Sequence, residues 1–434
     1  MAGRRPQFVW MMVARSGTLI MGMLASVVVA RALPPQSRGT YYMAVSVATA
    51  ALSLGHLSVE QAQTALWARR GHRSRLDRGA VPLGLCVGSV AGAGALGLSA
   101  LFQGRGHLPD TALLVTACAG VPLGMAVLYG TNITLLRDRT RVAGWAMVVS
   151  AVVQCLCLIG LGLTGLLTVW TVVAVWSGSF AVSLAVLVGA GGVTTGRPDV
   201  RLAAATCAKG LRFHTGSAAA YLLVRSDVFL LNALAGPRDV GVYTLAVTLA
   251  ELSRLAVDVF AQVTLSLQFD GEGSASAQVT ARLVRFTVLL GVTSAVTTVA
   301  VASVAVTPLY GHAYASAAGL VALLVPGVLL LSTARPLSTF LLRQGSSRLV
   351  VVPSLTALAV NTALNVAMIP VWGAAGCAVA STVAYGTLVA FQVRYFTRTS
   401  GLRWTCLLPT GAERSRLATE VRHRTRALRA GGTS

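Results

Sequence analysis

Charged side chains stand inside stretches of this sequence that are otherwise apolar. The cationic members are Arg15, Arg225, Arg254 and Arg335. The acidic members are Glu60, Asp227, Glu251 and Asp258. A guanidinium can bind two oxygens of a phosphate at once, because its planar fork matches their geometry. These residue types therefore offer recognition of an anion, with acids that pair with the arginines or couple an ion.

These charges are expensive if the apolar stretches lie in a membrane. Each costs about 2.5–3.5 kcal/mol at the centre of a helix, so eight unpaired charges would cost about 20 kcal/mol. They must face a wet cavity or one another. Glu251, Arg254 and Asp258 are spaced to share one stripe of a helix. The spacing predicts a hydrated central cavity, and structural ion pairs are the alternative for any single residue.

The composition excludes a soluble protein. The chain has 434 residues, of which 55% are hydrophobic and 11% are charged, against about 25% charged in a typical soluble domain. The net charge is +22, but a nucleic-acid binder would keep a polar surface, so we expect no nucleic-acid partner. The 7 cysteines are scattered and form neither a disulfide framework nor a metal-spaced cluster.

Twelve apolar stretches are long enough to cross a bilayer as helices, because each crossing needs about 20 residues. They cover residues 8–31, 40–67, 80–103, 110–135, 142–163, 166–190, 211–235, 240–267, 283–308, 315–341, 349–370 and 374–396. The predicted fold class is an all-α polytopic membrane protein. Its twelve transmembrane helices are expected in two parallel six-helix halves around a central cavity.

The distribution of basic residues predicts the orientation of the chain. With a cytoplasmic N-terminus, the inner segments hold 27 of the 35 Arg and Lys residues. The outer loops hold only Arg31, Arg38, Arg105 and Arg238. Positive residues are retained in cytoplasmic loops. We therefore expect a multi-pass protein of the cell membrane with both termini in the cytoplasm.

A repeated segment indicates an internal duplication. Gly39–Ala48 begins the second stretch and Gly241–Ala250 begins the eighth, with Gly, Tyr, Ala and Val in register 202 residues apart. Copies with an even number of spans give parallel halves, which usually hold a substrate at the midplane between them. The predicted domains are an N-terminal lobe over 1–195, a C-terminal lobe over 196–397 and a basic cytoplasmic tail over 398–434.

Motifs of enzymatic chemistry are missing from the sequence. Lys209, the one lysine, follows no glycine-rich phosphate loop, and no H-E-x-x-H or Ser-His-Asp arrangement is readable. His56 and His214 fall inside spans without metal-ligand spacing, which favours buried, hydrogen-bonded histidines. We expect a protein that is not an enzyme and that uses no cofactor and no metal.

Three segments resemble the polysaccharide-transporter branch of the multidrug, oligosaccharidyl-lipid and polysaccharide exporter superfamily. They are Arg31–Tyr41, Arg225–Asp227 with Gly241–Tyr243, and Asn361–Tyr385, which contains Asn365, Ile369-Pro370 and Gly373. Pro34 stands where the family usually has glycine, and Ala375-Gly376-Cys377 departs from the family's Gly-Ala-Ala. The chain is therefore similar to a divergent member of this branch.

The resemblance implies alternation between inward-open and outward-open states. It also implies flipping of an undecaprenyl-pyrophosphate-linked oligosaccharide, or a similar lipid-linked precursor, to the outer leaflet. The four intramembrane arginines are then candidates for the headgroup, and the four acids for pairing or ion coupling. The expected partners are the lipid-linked glycan, the bilayer and polysaccharide-assembly enzymes.

Two other functions stay open at this point. A multidrug cation antiporter of the same superfamily would need net acid facing the cavity, which four arginines against four acids do not favour. A membrane glycosyltransferase or polymerase would carry an acidic catalytic loop outside, and the outer loops offer only Asp110 and Asp239.

Overall fold

The computed structural model describes residues 4–104, 107–264, 274–343, 348–409 and 411, and its regular secondary structure there is helical. The first eight α-helices are α1 (Arg4–Ala32), α2 (Pro35–Gly55), α3 (Val59–Trp67), α4 (Arg73–Leu101), α5 (Thr111–Cys118), α6 (Val121–Leu136), α7 (Thr140–Leu163) and α8 (Val169–Gly189). The others are α9 (Val200–Ala235), α10 (Pro237–Leu252), α11 (Leu255–Thr264), α12 (Ser274–Tyr310), α13 (Ala317–Arg343) and α14 (Arg348–Ser400). Short 3-10 turns cover Arg70–His72, His312–Tyr314 and Trp404–Leu407.

The helices confirm an all-α polytopic membrane protein. Within the described ranges, 10 helical segments are long and apolar enough to cross a membrane. The segment Val351–Ser400 is 50 residues long and covers the last two predicted spans. Gly373 divides it, with a φ of 55° and a ψ of −132° that no helix allows. The predicted count of about twelve spans is therefore consistent with the structure.

Breaks divide three of the predicted spans. The second is interrupted at Leu57 and Ser58, both with a φ of 50°. The fourth is interrupted between α5 and α6, where Pro122 occupies the first turn of α6.

The eighth predicted span consists of α10 and α11, with 16 and 10 residues. Its last residues, 265–267, lie outside the described part of the chain. The Ser253 hydroxyl donates to the Ala250 carbonyl over 2.7 Å, a local bond that competes with helix continuation and bends helices. The prediction of one uninterrupted helical stripe through Glu251, Arg254 and Asp258 is therefore wrong.

The chain forms two compact units. The first contains Met1–Ala246, Ser303–Leu320 and Asn361–Ala380, and the second contains Val247–Ala302, Val321–Val360 and Ser381–Ser434. The predicted lobes, 1–195 and 196–397, describe a sequence duplication, so those boundaries and the central cavity stay predictions. Of the predicted tail, residues 410 and 412–434 lie outside the described residues.

Close helix packing through glycine shapes the first unit. A Cβ atom on Gly84 would lie 2.5 Å from the Ala126 Cα, and one on Gly88 would lie 2.6 Å from the Pro122 Cα. Glycines four residues apart let two membrane helices approach closely, where lipid provides no hydrophobic driving force. As a result α4 lies directly against α6, beside a core that contains the fully buried Tyr129.

Aromatic and aliphatic side chains form the core of the second unit. The rings of Phe340 on α13 and Phe396 on α14 meet at 5.0 Å with an angle of 67° between their planes. Leu337, Leu341 and Ala281 are buried around them. This edge-to-face arrangement joins α12, α13 and the last part of α14.

Candidate functional site

An ion pair joins two of the predicted site residues in the second unit. Arg335 on α13 places Nη1 2.8 Å from a carboxylate oxygen of Asp258 on α11. The Arg335 side chain keeps 45% of its surface accessible and that of Asp258 keeps 27%. Pairing removes most of the cost of two charges at bilayer depth, while the exposed part of the guanidinium can still contact a ligand.

Arg254 occupies the turn between α10 and α11. Its backbone N–H donates to the Glu251 carbonyl over 3.1 Å, and its carbonyl accepts from the Asp258 N–H over 2.7 Å. The side chain is half-buried. Its Nε is buried and has no hydrogen-bond acceptor among the residues that the structure describes. A buried donor without a partner costs about 1–3 kcal/mol, which an anion could recover.

Asp227 is buried and satisfied within the first unit. Its side chain accepts from the Tyr243 hydroxyl over 2.5 Å and from the Val228 backbone N–H over 2.8 Å. These bonds join α9 to α10, so Asp227 anchors two consecutive helices. Arg225, two residues earlier, is half-buried instead, as expected for positions that point in different directions along a helix.

Arg15 projects from α1 with its side chain exposed. No carboxylate of the described residues lies within 4.0 Å of it. Arg15 and Arg225 belong to the first unit, whereas Arg254 and Arg335 belong to the second. Their assignment to one substrate site stays a prediction.

Glu60 belongs to a cluster of titratable side chains at the break in the second span. Its carboxylate lies 3.0 Å from His56 Nδ1. The His56 ring meets the His214 ring of α9 edge-to-face, with centroids 5.1 Å apart. Both histidines are hydrogen-bonded, as predicted. Their contact could not be predicted from local patterns, because 158 residues separate them.

A cavity of about 610 Å³ lies beside this cluster. Its lining includes His56, Glu60, Thr49, Ser53, Thr131 and Asn132. Asn132 fixes one wall, because its amide donates to the Glu60 carbonyl over 3.0 Å and to Gln63 Oε1 over 2.9 Å. The first unit therefore presents an acid and an imidazole to a space that water or a small ligand can enter.

Arg38 is a residue that the sequence analysis misplaced. It was expected in an outer loop, but it lies in the first turn of α2 and is 2% exposed. Its guanidinium stacks on the Tyr314 ring, 5.5 Å from the centroid, and donates to Ser26 Oγ over 3.2 Å. Pro35 is the sequence feature that indicates a helical position for Arg38, since proline favours the first position of a helix and so shortens the preceding loop.

The third family-like segment has a structural role at the bend in α14. Asn365 donates to Asn361 Oδ1 over 2.9 Å, and both side chains are buried. Beyond Gly373, the Ala374 N–H donates to Asp239 Oδ2 over 3.2 Å. Asp239 thus caps the second part of α14.

The sequence matches the family model described as "Polysaccharide biosynthesis protein" over residues 6–265. The chain belongs to this family. A comparison with curated proteins finds no match. The resemblance to the polysaccharide-transporter branch is therefore confirmed.

Solved structures share the fold of this family member. A structure of the lipid II flippase MurJ in an inward closed conformation is 12% identical, with a TM-score of 0.68 over 89% of this chain and 87% of that one. An inward-facing multidrug resistance MATE family transporter of the MOP superfamily is 15% identical, with a TM-score of 0.61 over 88% and 95%. These likenesses establish a polytopic transporter fold.

Proposed function

We propose that this family member flips an anionic lipid-linked glycan precursor of the polyprenyl-pyrophosphate type. The movement runs from the cytoplasmic to the outer leaflet of the cell membrane by alternating access, with both chain termini in the cytoplasm. Membership of a polysaccharide biosynthesis family supports the glycan. The fold shared with a lipid II flippase supports the mode of transport.

The environment of Arg254 is the main structural support for the proposal. It stands at a break between two short helices of the eighth span, and its buried Nε has no acceptor among the described residues. Broken membrane helices are typical places for binding charged substrate groups. A pyrophosphate oxygen is the acceptor that a guanidinium suits best.

Electrostatics supply a driving force for the proposed direction. Outward movement of two negative charges runs with an inside-negative potential, and at 100 mV it releases about 4–5 kcal/mol. The protein then needs no covalent chemistry and no ATP hydrolysis. Polysaccharide-assembly enzymes would supply the precursor on the inner side and consume it on the outer side.

The partners of two of the four predicted acids argue against a cation site at either of them. Asp258 pairs with Arg335, and Asp227 accepts from Tyr243. A cation site needs a carboxylate whose charge is not already neutralised or fully hydrogen-bonded. The MATE likeness is therefore a likeness of fold, and the proposed cargo is an anion.

Flipping of a fluorescent polyprenyl-pyrophosphate-linked N-acetylglucosamine in proteoliposomes tests the proposal. Arg254→Ala should slow flipping by roughly 10–100-fold, the equivalent of one charged hydrogen bond. Arg254→Lys should recover part of the rate, and the exposed outer residue Arg238 gives the matched control Arg238→Ala. Parallel variants of Arg15, Arg225 and Arg335 test the rest of the site.

Two results would overturn this assignment. One is normal flipping by all four arginine-to-alanine variants. The other is a deletion strain that becomes sensitive to organic cations while its surface polysaccharide stays intact, because only an antiporter predicts that outcome.

A further inference from the structure

Strained backbone marks the break in the second span. Leu57 and Ser58 both have a φ of 50°, in the left-handed region that residues with a Cβ rarely adopt. Two consecutive residues in this region persist only when the surroundings hold them, and such strain concentrates at functional sites. The side chains that stabilise this break are therefore candidates for a functional role.

Titratable side chains from two other helices bind the carbonyls that the break sets free. The Tyr129 hydroxyl on α6 donates to the His56 carbonyl over 2.8 Å. The His214 Nε2–H on α9 donates to the Leu54 carbonyl over 2.9 Å. Gly210 lets α9 approach, since a Cβ there would overlap the Leu57 carbonyl oxygen. The conformation of the second span is thus tied to an imidazole of the seventh.

The ring nitrogens of the two histidines have different partners. His56 Nδ1 accepts from the Ser58 backbone N–H over 3.1 Å and also lies 3.0 Å from the Glu60 carboxylate. His214 donates through Nε2, which leaves its Nδ1 as an acceptor 3.4 Å from Ser58 Oγ. Each neutral ring therefore keeps one nitrogen that can take up a proton.

Other titratable groups also face this cluster. Tyr129 on α6 interacts electrostatically with Cys207 on α9 and with Glu60. The cations Lys209 and Arg212 precede His214 on α9. Imidazole is the side-chain group whose ordinary pKa lies nearest to neutral pH, which suits it to exchange of a proton.

We propose that His56, Glu60 and His214 form a proton-binding site that couples proton uptake to the transport cycle. A proton that binds His56 Nδ1, 3.0 Å from the Glu60 carboxylate, makes this contact an imidazolium–carboxylate ion pair. The positive ring then lies against His214 and disfavours a second proton there, so the two rings share one proton. The coupling to transport rests on the proposed function, whereas the proton site itself does not.

The donor set favours a proton over a metal ion. The described residues contain no group of three or more His, Cys, Asp or Glu side chains placed to hold a metal. Nδ1 of His56 and Nε2 of His214 are already engaged. The cavity of about 610 Å³ beside Glu60 gives the proton a path through water.

Titration of the histidines in the full-length protein tests the site without any substrate. The chain has 6 histidines, and His56→Gln identifies the His56 signal in nitrogen-15 NMR spectra of labelled protein in nanodiscs. Glu60→Gln should change the nitrogen-15 signals of the His56 ring and their dependence on pH, because the carboxylate beside Nδ1 is lost. Glu60→Asp should restore part of the wild-type behaviour, and the control Asp110→Asn should change nothing. His56 signals that are the same in wild type and Glu60→Gln at every pH overturn the site.

Flipping of the fluorescent polyprenyl-pyrophosphate sugar under an imposed pH gradient tests the coupling. The wild type should respond by up to about tenfold per pH unit for each coupled proton. His56→Gln and Glu60→Gln should flip without responding, while the exposed-residue control His312→Gln should respond normally. Active flipping by the wild type that ignores the gradient overturns the coupling. A wild type that flips nothing contradicts the proposed function, and the NMR titration then decides the proton site alone.

Discussion

Gly39 and Gly241 face each other where α2 and α10 begin. The Pro237 carbonyl oxygen stands where a Cβ of Gly39 would be, and the Pro35 carbonyl oxygen stands where a Cβ of Gly241 would be. The contact is reciprocal, because 202 residues separate Gly39 from Gly241 and also Pro35 from Pro237. The two copies of the repeated segment therefore meet as equivalent partners, which supports a duplication with parallel halves.

Replacement of either glycine should disrupt this meeting point. Gly39→Ala or Gly241→Ala forces two backbones apart, so each should lower the free energy of unfolding by about 1–3 kcal/mol. Gly22→Ala is the matched control, because a Cβ on Gly22 meets nothing within 4 Å. Thermal unfolding followed by tryptophan fluorescence measures the difference. Equal melting temperatures for all three variants would contradict the close approach.

Arg38 and Tyr314 should be energetically coupled. A guanidinium stacked on a ring away from water gains about 1–2 kcal/mol, and Arg38 lies 5.5 Å from the ring centroid. A double-mutant cycle with Arg38→Met and Tyr314→Leu should return a coupling of that size. Arg38→Lys should not preserve it, because an ammonium lacks the planar face. Strictly additive effects on the melting temperature would show that the stacking contributes nothing.

Asp199 should give the fold an acid-sensitive contact at the start of α9. The Leu202 backbone N–H and the Arg75 guanidinium both hydrogen-bond this carboxylate and hold its pKa below the ordinary 3.8. The charged form is therefore favoured in the folded state. Its stabilisation is complete above the ordinary pKa and is lost as the pH falls through the lowered value.

Asp199→Asn isolates this charge, because an asparagine oxygen can still cap the Leu202 N–H. The stability difference between wild type and variant should be constant at neutral pH, should begin to shrink near pH 3.8 and should vanish once the pH is below the lowered pKa of Asp199. Denaturation curves at several pH values measure it. Asp110→Asn is the control, since Asp110 precedes α5 without a side-chain cap bond. A difference that persists unchanged at pH 3 would refute the contact.

Variants of the Arg335–Asp258 pair can show whether the pair serves the stability of the fold or the transport of substrate. Arg335→Ala or Asp258→Asn should each cost about 1–3 kcal/mol of stability, between the limits for exposed and buried pairs. The charge-reversed double variant, Arg335→Asp with Asp258→Arg, should recover stability in thermal unfolding. It should still flip poorly, because the guanidinium has moved from α13 to α11. Full recovery of flipping would make the pair purely structural.

The membrane spans could be predicted because they depend on local composition. The stretch predicted at 142–163 is α7, Thr140–Leu163, and the stretch predicted at 166–190 is α8, Val169–Gly189. Each crossing must satisfy its backbone hydrogen bonds within itself, so apolar length alone identifies it. The break before Pro122 had a local cause as well, because proline favours the first turn of a helix. The break at Leu57 and Ser58 had none, since neither residue favours a left-handed backbone.

The sequence alone determined the class of protein, the positions of its spans and the repeated segment, because these are properties of neighbouring residues. The tertiary structure decided which charges meet. It pairs Asp258 with Arg335, whereas the sequence spacing suggested Arg254, and it brings His56 to His214. Such partners lie far apart in the chain, and their contact depends on which helix faces pack together, which local periodicity does not specify.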